Sequence, residues 1–196
     1  MLLDSPAGEI GWKIPDFSLS DFDAVPFNLA DQKPKRALVI AFICNHCPYV
    51  KTIIKDFAED AKQMQRNGID VLAIMPNDYN AYEADSPDNM KGFAKEHDFS
   101  FPYLVDKEQS VAKSFGAVCT PEFFGFDGKL QLQYRGRLDN SRPGGKQADS
   151  KREPELINAM LAIAAGEKGP QVQLPSMGCS IKWRLSIRIV AEDPDN

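Results

Sequence analysis

The stretch RALVIAFIC (Arg36 to Cys44) is a continuous apolar run that fits a central strand buried on both faces. The next thirty residues narrow the architecture further. From Cys47 to Arg66 the apolar residues Val50, Ile53, Ile54, Phe57, Ala61 and Met64 recur at three and four, the signature of an amphipathic helix, and Asn67-Gly68 ends it. IDVLAIMP (Ile69 to Pro76) is a second buried strand. Strand, helix and strand in this order form a parallel unit with a right-handed crossover, so the chain is predicted to be α/β.

The remaining elements come from local signals. Ser86 and Pro87 open a helix from about Pro87 to Glu96, with serine as N-cap and proline at the first helical position. FPYLVD is a short strand, and EQSVAKSFG a short helix closed by Gly116. In PEFFGFDGKLQLQYRG two strands flank the turn signal Asp127-Gly128. EPELINAMLAIAAG (Glu153 to Gly166) is a last helix, and the polar segment Asn140 to Pro154 is an exposed loop. A mixed central sheet flanked by helices is expected, in a single domain spanning 1–196, with a core of about 15–166 and a C-terminal extension over 167–196.

Composition excludes several partners. A net charge of −5 offers no general basic surface, so neither nucleic acid nor an anionic membrane is expected as partner. No stretch approaches the roughly 20 apolar residues of a membrane span. The opening MLLDSPAGEIGWKIPDF shows no signal-peptide pattern, which predicts a cytoplasmic protein. Thiols are held reduced there, so the four cysteines read as chemistry or as small buried apolar residues, not as structural disulfides.

CNHCPYVK (Cys44 to Lys51) places two of those cysteines where the first core strand feeds its helix. A helix N-terminus carries unpaired N–H groups and about half a positive charge, which favours a thiolate. The spacing lets a second thiol resolve a mixed disulfide formed at the first. Cys44 is expected to attack and Cys47 to resolve, with His46 tuning the pair. The competing reading is half of a zinc site. That needs two further ligands, and His97, Cys119 and Cys179 supply no second ligand pair, so no metal is expected, nor any other cofactor.

The segment VCTPEFF (Val118 to Phe124), ahead of the hairpin, resembles the loop that faces the CxxC in the thioredoxin superfamily. The resemblance implies a cis Thr120-Pro121 bond, with Thr120 presenting backbone groups to an incoming disulfide. It covers the chain from about Pro15 to Gly166. IPDFSLSDFDAVPFNLAD is similar to the peroxiredoxin-type N-terminal hairpin, and the helical insertion ahead of the Thr-Pro loop resembles that group too. Together FICNHCPYVK, CTPEFF and GCSIKWR resemble peroxiredoxin-like members of the alkyl hydroperoxide reductase/thiol-specific antioxidant group.

The activating residues of a peroxiredoxin are a different matter. Its Pro-x-x-x-Thr-x-x-Cys motif would place Ile40 and Cys44 at the proline and threonine positions if Cys47 were peroxidatic, or Ala37 and Ala41 if Cys44 were. Arg135 and Arg137 do not match the motif's arginine. Leu38 stands where thioredoxins carry a buried aspartate, leaving water, His46 or Glu122 to handle protons. Thiol–disulfide exchange with protein or small-molecule disulfides and a thiol reductant is therefore the expected function. A thiol peroxidase with Cys47 peroxidatic is the alternative, and a redox-sensing binding module the second. A monomer or homodimer is expected.

Two further cysteines have open roles. Cys119 reads either as a third redox partner beside the CxxC or as a small residue packed at the Thr-Pro loop. Cys179, in PSMGCSIKWR, reads either as a thiol reaching back to Cys47 or as part of a lid over Met177 to Trp183, with Trp183 packed on the core. LSIRIVAED suggests a short edge strand.

Overall fold

In the computed structural model, which describes residues 1–34, 36–144 and 151–184, the apolar run becomes a strand over Ala37–Phe42 with every residue buried. In chain order the strands are β1 (Leu2–Asp4), β2 (Ser18–Asp21), β3 (Pro26–Asn28), β4 (Ala37–Phe42), β5 (Ile69–Met75), β6 (Tyr103–Val105), β7 (Cys119–Thr120), β8 (Glu122–Asp127), β9 (Leu132–Gly136) and β10 (Met177–Ser180). The helices are α1 (Pro48–Arg66), α2 (Pro87–Glu96), α3 (Ser110–Ser114) and α4 (Glu155–Ala164). A seven-stranded sheet runs β3-β2-β6-β5-β4-β8-β9. β4 is parallel to β5 and antiparallel to β8, so the sheet is mixed, as the strand–helix–strand unit and the later hairpin require.

The period of two along β4 splits the core. Ala37, Val39, Ala41 and Ile43 face one layer, where Val50, Ile54, Phe57 and Met64 of α1 and Leu156 and Met160 of α4 pack. Leu38, Ile40 and Phe42 face the other, with Phe17, Phe115, Phe124 and Phe126. There Phe115 meets Phe42 and Phe124 edge-on, at 5.3 Å between ring centroids in each pair. Both faces being covered is why β4 carries no polar residue.

Helix ends follow their local chemistry. Cys47 is the N-cap of α1, Pro48 takes the first helical position, and Gly68 turns the chain out at φ +78°. Ser86 caps α2 by accepting the Asn89 N–H. α4 starts at Glu155, slightly later than the sequence pattern suggests, with Pro154 as its cap residue. The β8–β9 turn is longer than an Asp-Gly hairpin: Asp127 Oδ1 accepts the Lys129 and Gln131 amides, and Leu130 takes the positive φ.

A second sheet was not anticipated. β10 lies antiparallel between β1 and β7, bringing both ends of the described chain beside the Thr120-Pro121 loop. The expected lid is thus a paired strand. Ile181 inserts into the second core layer, whereas Trp183 is 39% exposed with Lys113 Nζ over its ring, so Trp183 does not pack on the core. LSIRIVAED lies outside the described residues.

Candidate active site

β4 runs out at Phe42, and Ile43 extends its pairing through a 3.0 Å bond to the Ile74 carbonyl. Cys44, Asn45 and His46 then turn the chain into α1. The Thr120-Pro121 bond is cis. It sets Thr120 against both sulfurs: Cys44 Sγ lies 3.1 Å from the Thr120 hydroxyl, and Cys47 Sγ donates to the Thr120 carbonyl at 3.2 Å. Cys44, Cys47, Thr120 and Pro121 therefore meet in one place, with His46 at its edge. Both sulfur-bearing residues are fully buried, while the His46 side chain remains 25% exposed. A cleft beside His46 is walled by Lys51, Asn89, Phe93 and Glu96.

The CxxC turn is held by a residue that carried no local sequence signal. Asp85 sits in a 3-10 turn (Glu83–Asp85) ahead of α2, wholly buried. Its Oδ1 accepts the Asn45 amide at 2.8 Å and the His46 amide at 3.3 Å. Its Oδ2 pairs with His46 Nδ1 at 2.7 Å and accepts from Asn77 Nδ2 at 2.8 Å. Asn45 is fixed from the other side, donating to the Ala84 carbonyl and accepting the Tyr103 hydroxyl. The His46 ring stacks on Tyr82 at 5.5 Å. Burial pushes the Asp85 carboxyl up, but hydrogen bonds from His46 and Asn77, the His46 charge and the Asn45 amide outweigh it and hold the group below the ordinary value.

The two thiols differ in how readily they ionise. The sequence assigns the reactive thiolate to Cys44. In the structure Cys44 is pushed well above an ordinary thiol, first because it donates to Cys47, then by burial and the Asp85 charge. Cys47 is lowered to about 5, first by the Cys44 hydrogen bond, against burial, with help from the Cys179 thiol and the Val50 and Cys179 amides. Within this coupled pair the thiolate is favoured at Cys47, at the helix N-terminus, over Cys44.

The other two cysteines part company. Cys119 is buried and turned towards the Pro121 carbonyl and Glu122, and burial and the Glu122 charge push its thiol far up. Cys179 of β10 pairs with Thr120 of β7 and packs against the core layer that holds Cys47; burial, then Cys47, pushes its thiol up to about 11. Glu122, considered as a proton acceptor, is engaged elsewhere. It receives Arg135 Nε and Nη2 at 2.9 and 2.6 Å and the Val118 amide at 2.9 Å. Arg137 is bound to Glu155. Leu38 points to the sheet face opposite Cys47.

The GCSIKWR segment is stitched to the same site. Lys182 N–H donates to Asn77 Oδ1, and the Lys182 carbonyl accepts from Asp78 N–H and Gln109 Nε2. Asn77 thus joins the C-terminal strand to Asp85. For a metal ion, Cys44, His46 and Asp85 offer ligand atoms within 4.8 Å of one another, a sulfur, nitrogen and oxygen set compatible with zinc. Here His46 and Asp85 bond each other, Asp85 also accepts the Asn45 amide, and the Cys44 sulfur lies against the Thr120 hydroxyl.

Known proteins resemble this chain in sequence and in fold. A crystallised conserved protein of Geobacillus kaustophilus, itself uncharacterized, is 41% identical, with a TM-score of 0.88 covering 95% of this chain and 98% of that one. The thiol-disulfide oxidoreductase ResA of Bacillus thuringiensis subsp. konkukian is 26% identical over 137 residues, 65% of this chain and 70% of its own length. Peroxidoxin BcpB of Mycobacterium tuberculosis, at 17% identity, shares the thioredoxin-like fold, with a TM-score of 0.59 over 80% of this chain and 96% of its own. Among the described residues no helix is long and apolar enough to cross a membrane. A family model matches residues 10–135, more than half of the sequence, and the chain belongs to the AhpC/TSA family.

Proposed function

We propose that this chain is a thiol–disulfide oxidoreductase whose Cys44–Cys47 pair cycles between dithiol and disulfide. The observation that carries the reading is the convergence of both sulfurs on Thr120, with the negative charge favoured at Cys47. The Cys47 thiolate attacks one sulfur of a substrate disulfide, forming a mixed disulfide and releasing the first substrate thiolate. Cys44, losing its proton, attacks Cys47, closes the Cys44–Cys47 bond and releases the second. The substrate gains two electrons and the pair loses two; a thiol reductant reverses the cycle. Reduction of an insulin disulfide by the reduced protein tests this. Cys47→Ser should abolish turnover, and Cys44→Ser combined with Cys179→Ala should trap a mixed disulfide on Cys47. Full activity in Cys47→Ser would sink the reading.

One observation favours a peroxidase as the second reading: the negative charge of the pair is favoured at Cys47, the cysteine this reading makes peroxidatic. Against it, Ile40 and Cys44 stand at the activating positions, and Arg135 is committed to Glu122. The second-order rate of the reduced protein with hydrogen peroxide decides between them. A rate near that of a free thiolate supports exchange; one many orders faster, with sulfenic acid on Cys47, supports the peroxidase.

A further inference from the structure

The two sulfurs of the CxxC are sealed. Cys44, Cys47 and Cys119 have no exposed surface, and of the four cysteines only Cys179 is partly open to solvent. The cover is the chain's own β10. Cys179 pairs with Thr120 and Ser180 with Cys119 in antiparallel register, and the Ile181 amide reaches the Val118 carbonyl at 3.0 Å. The Thr120 backbone, expected to receive an incoming disulfide, is therefore occupied by a cysteine-bearing strand. Across the strand, Leu2 of β1 pairs with Cys179, so the position is held from both sides.

The approach is close. A Cβ on Gly178 would lie 2.1 Å from the Thr120 carbonyl oxygen and 2.6 Å from its carbon, so only glycine lets β10 lie flat on the loop. The next residue, Cys179, then stands opposite Thr120, whose hydroxyl contacts Cys44 and whose carbonyl contacts Cys47. The Cys179 side chain packs against the core layer that holds Cys44 and Cys47. Cys47 thus has a thiol on each side, one buried and one reaching the surface.

We propose that Cys179 is the exchange port of the buried pair: the disulfide moves from Cys44–Cys47 to Cys47–Cys179, and external thiols react with it there. The inference rests on the proposed exchange activity. In the first step the Cys179 thiolate attacks the Cys47 sulfur, the Cys47–Cys179 bond forms, and Cys44 leaves and takes up a proton, with no net redox change. In the second a small external thiol, as thiolate, attacks Cys179, forms a mixed disulfide and expels the Cys47 thiolate. A second equivalent of that thiol attacks the mixed disulfide, releases its own dimer and returns Cys179 as a thiol. Two external thiols lose one electron each, and the protein gains two. In the second step Cys47, held at about 5, is a good leaving group.

The test uses the full chain and glutathione as the probe. Reduced wild type is oxidised in steps with glutathione disulfide, quenched in acid, alkylated and mapped by mass spectrometry. Both the Cys44–Cys47 and Cys47–Cys179 linkages are expected. Cys44→Ala should form Cys47–Cys179 as its one internal disulfide, and Cys179→Ala should form Cys44–Cys47 but be reduced by glutathione at least tenfold more slowly. Wild type that forms Cys44–Cys47 alone at every potential overturns the port and leaves the exchange reading standing, and this arm needs no substitution that might unfold the chain. Wild type that forms no Cys44–Cys47 disulfide overturns both.

Discussion

Asp85 bonds His46 twice, through the ring Nδ1 at 2.7 Å and through the backbone amide at 3.3 Å, and so fixes the turn between the two cysteines from a different part of the chain. Asp85→Asn keeps the shape but loses the charge and places an N–H₂ among donors. We expect a loss of about 1–3 kcal/mol in urea unfolding, the scale of a buried charged hydrogen-bond partner left unmatched. The depressed Asp85 carboxyl adds stability that is fully present above its unfolded value of 3.8 and is lost as pH falls below it. The gap between wild type and Asp85→Asn should therefore narrow below about pH 4. Removal of the Asp85 charge should also make Cys44 easier to ionise.

Thiolate absorbance near 240 nm reads the charge on the pair directly. The reduced protein should titrate near pH 5, and Cys47→Ser should remove that step. Since the Cys44 hydrogen bond is the main force lowering Cys47, Cys44→Ala should move the step up by a unit or more and Cys44→Ser, which keeps a hydroxyl donor, by less. The same proton links to stability. Cys47 lies below its unfolded value of 9.0, so its contribution is present above that value and lost as pH falls through about 5. The urea midpoint of the reduced wild type should rise between pH 5 and 8 by more than that of Cys47→Ser. An equal rise in both would show that the charge sits elsewhere.

What could be read from the sequence divides along the length of chain needed to see it. RALVIAFIC, the α1 stripe and the Ser86-Pro87 start are local patterns, because burial on two faces, burial on one face and capping each leave a mark within a few residues. The CxxC and the Thr120-Pro121 loop were visible as motifs. Asp85 was not: its partners Asn45 and His46 lie 40 and 39 residues away, and a lone acid in a polar turn looks like any other. The preference for a thiolate at Cys47 was equally out of reach, because its causes, led by the Cys44 hydrogen bond and burial, exist only in the folded chain. β10 was missed because a four-residue strand, Met-Gly-Cys-Ser, carries little periodicity, and its pairing to β1 joins distant parts of the sequence.

Arg135 reaches Glu122 with two nitrogens, donates to the Gly116 carbonyl and lies over the Phe124 ring at 4.7 Å. Glu122 in turn holds the Val118 amide just ahead of the Thr-Pro loop. Arg135→Ala strands a wholly buried carboxylate, and we expect it to cost about 3–5 kcal/mol. The double variant Arg135→Met with Glu122→Gln should recover much of that loss, because the uncompensated charge is gone. Equilibrium urea unfolding of the three proteins checks this. A double variant no more stable than Arg135→Ala would place the loss in packing on Phe124 instead of charge.

Gly178→Ala separates the strand's role as cover from the chemistry of its cysteine. The new methyl group would meet the Thr120 carbonyl, which is backbone fixed by the pairing with β10 and cannot swing aside as a side chain would. β10 must lift from β7, while the seven-stranded sheet keeps its pairing. We expect the alkylation rate of Cys47 by iodoacetamide to rise at least tenfold, with hydrogen exchange at the Ile181 amide accelerating in step, since that amide bonds Val118 across the same edge. A change in Ile181 exchange without a change at Cys47 would mean that reagents reach the buried pair from the His46 side, and that β10 is not its barrier.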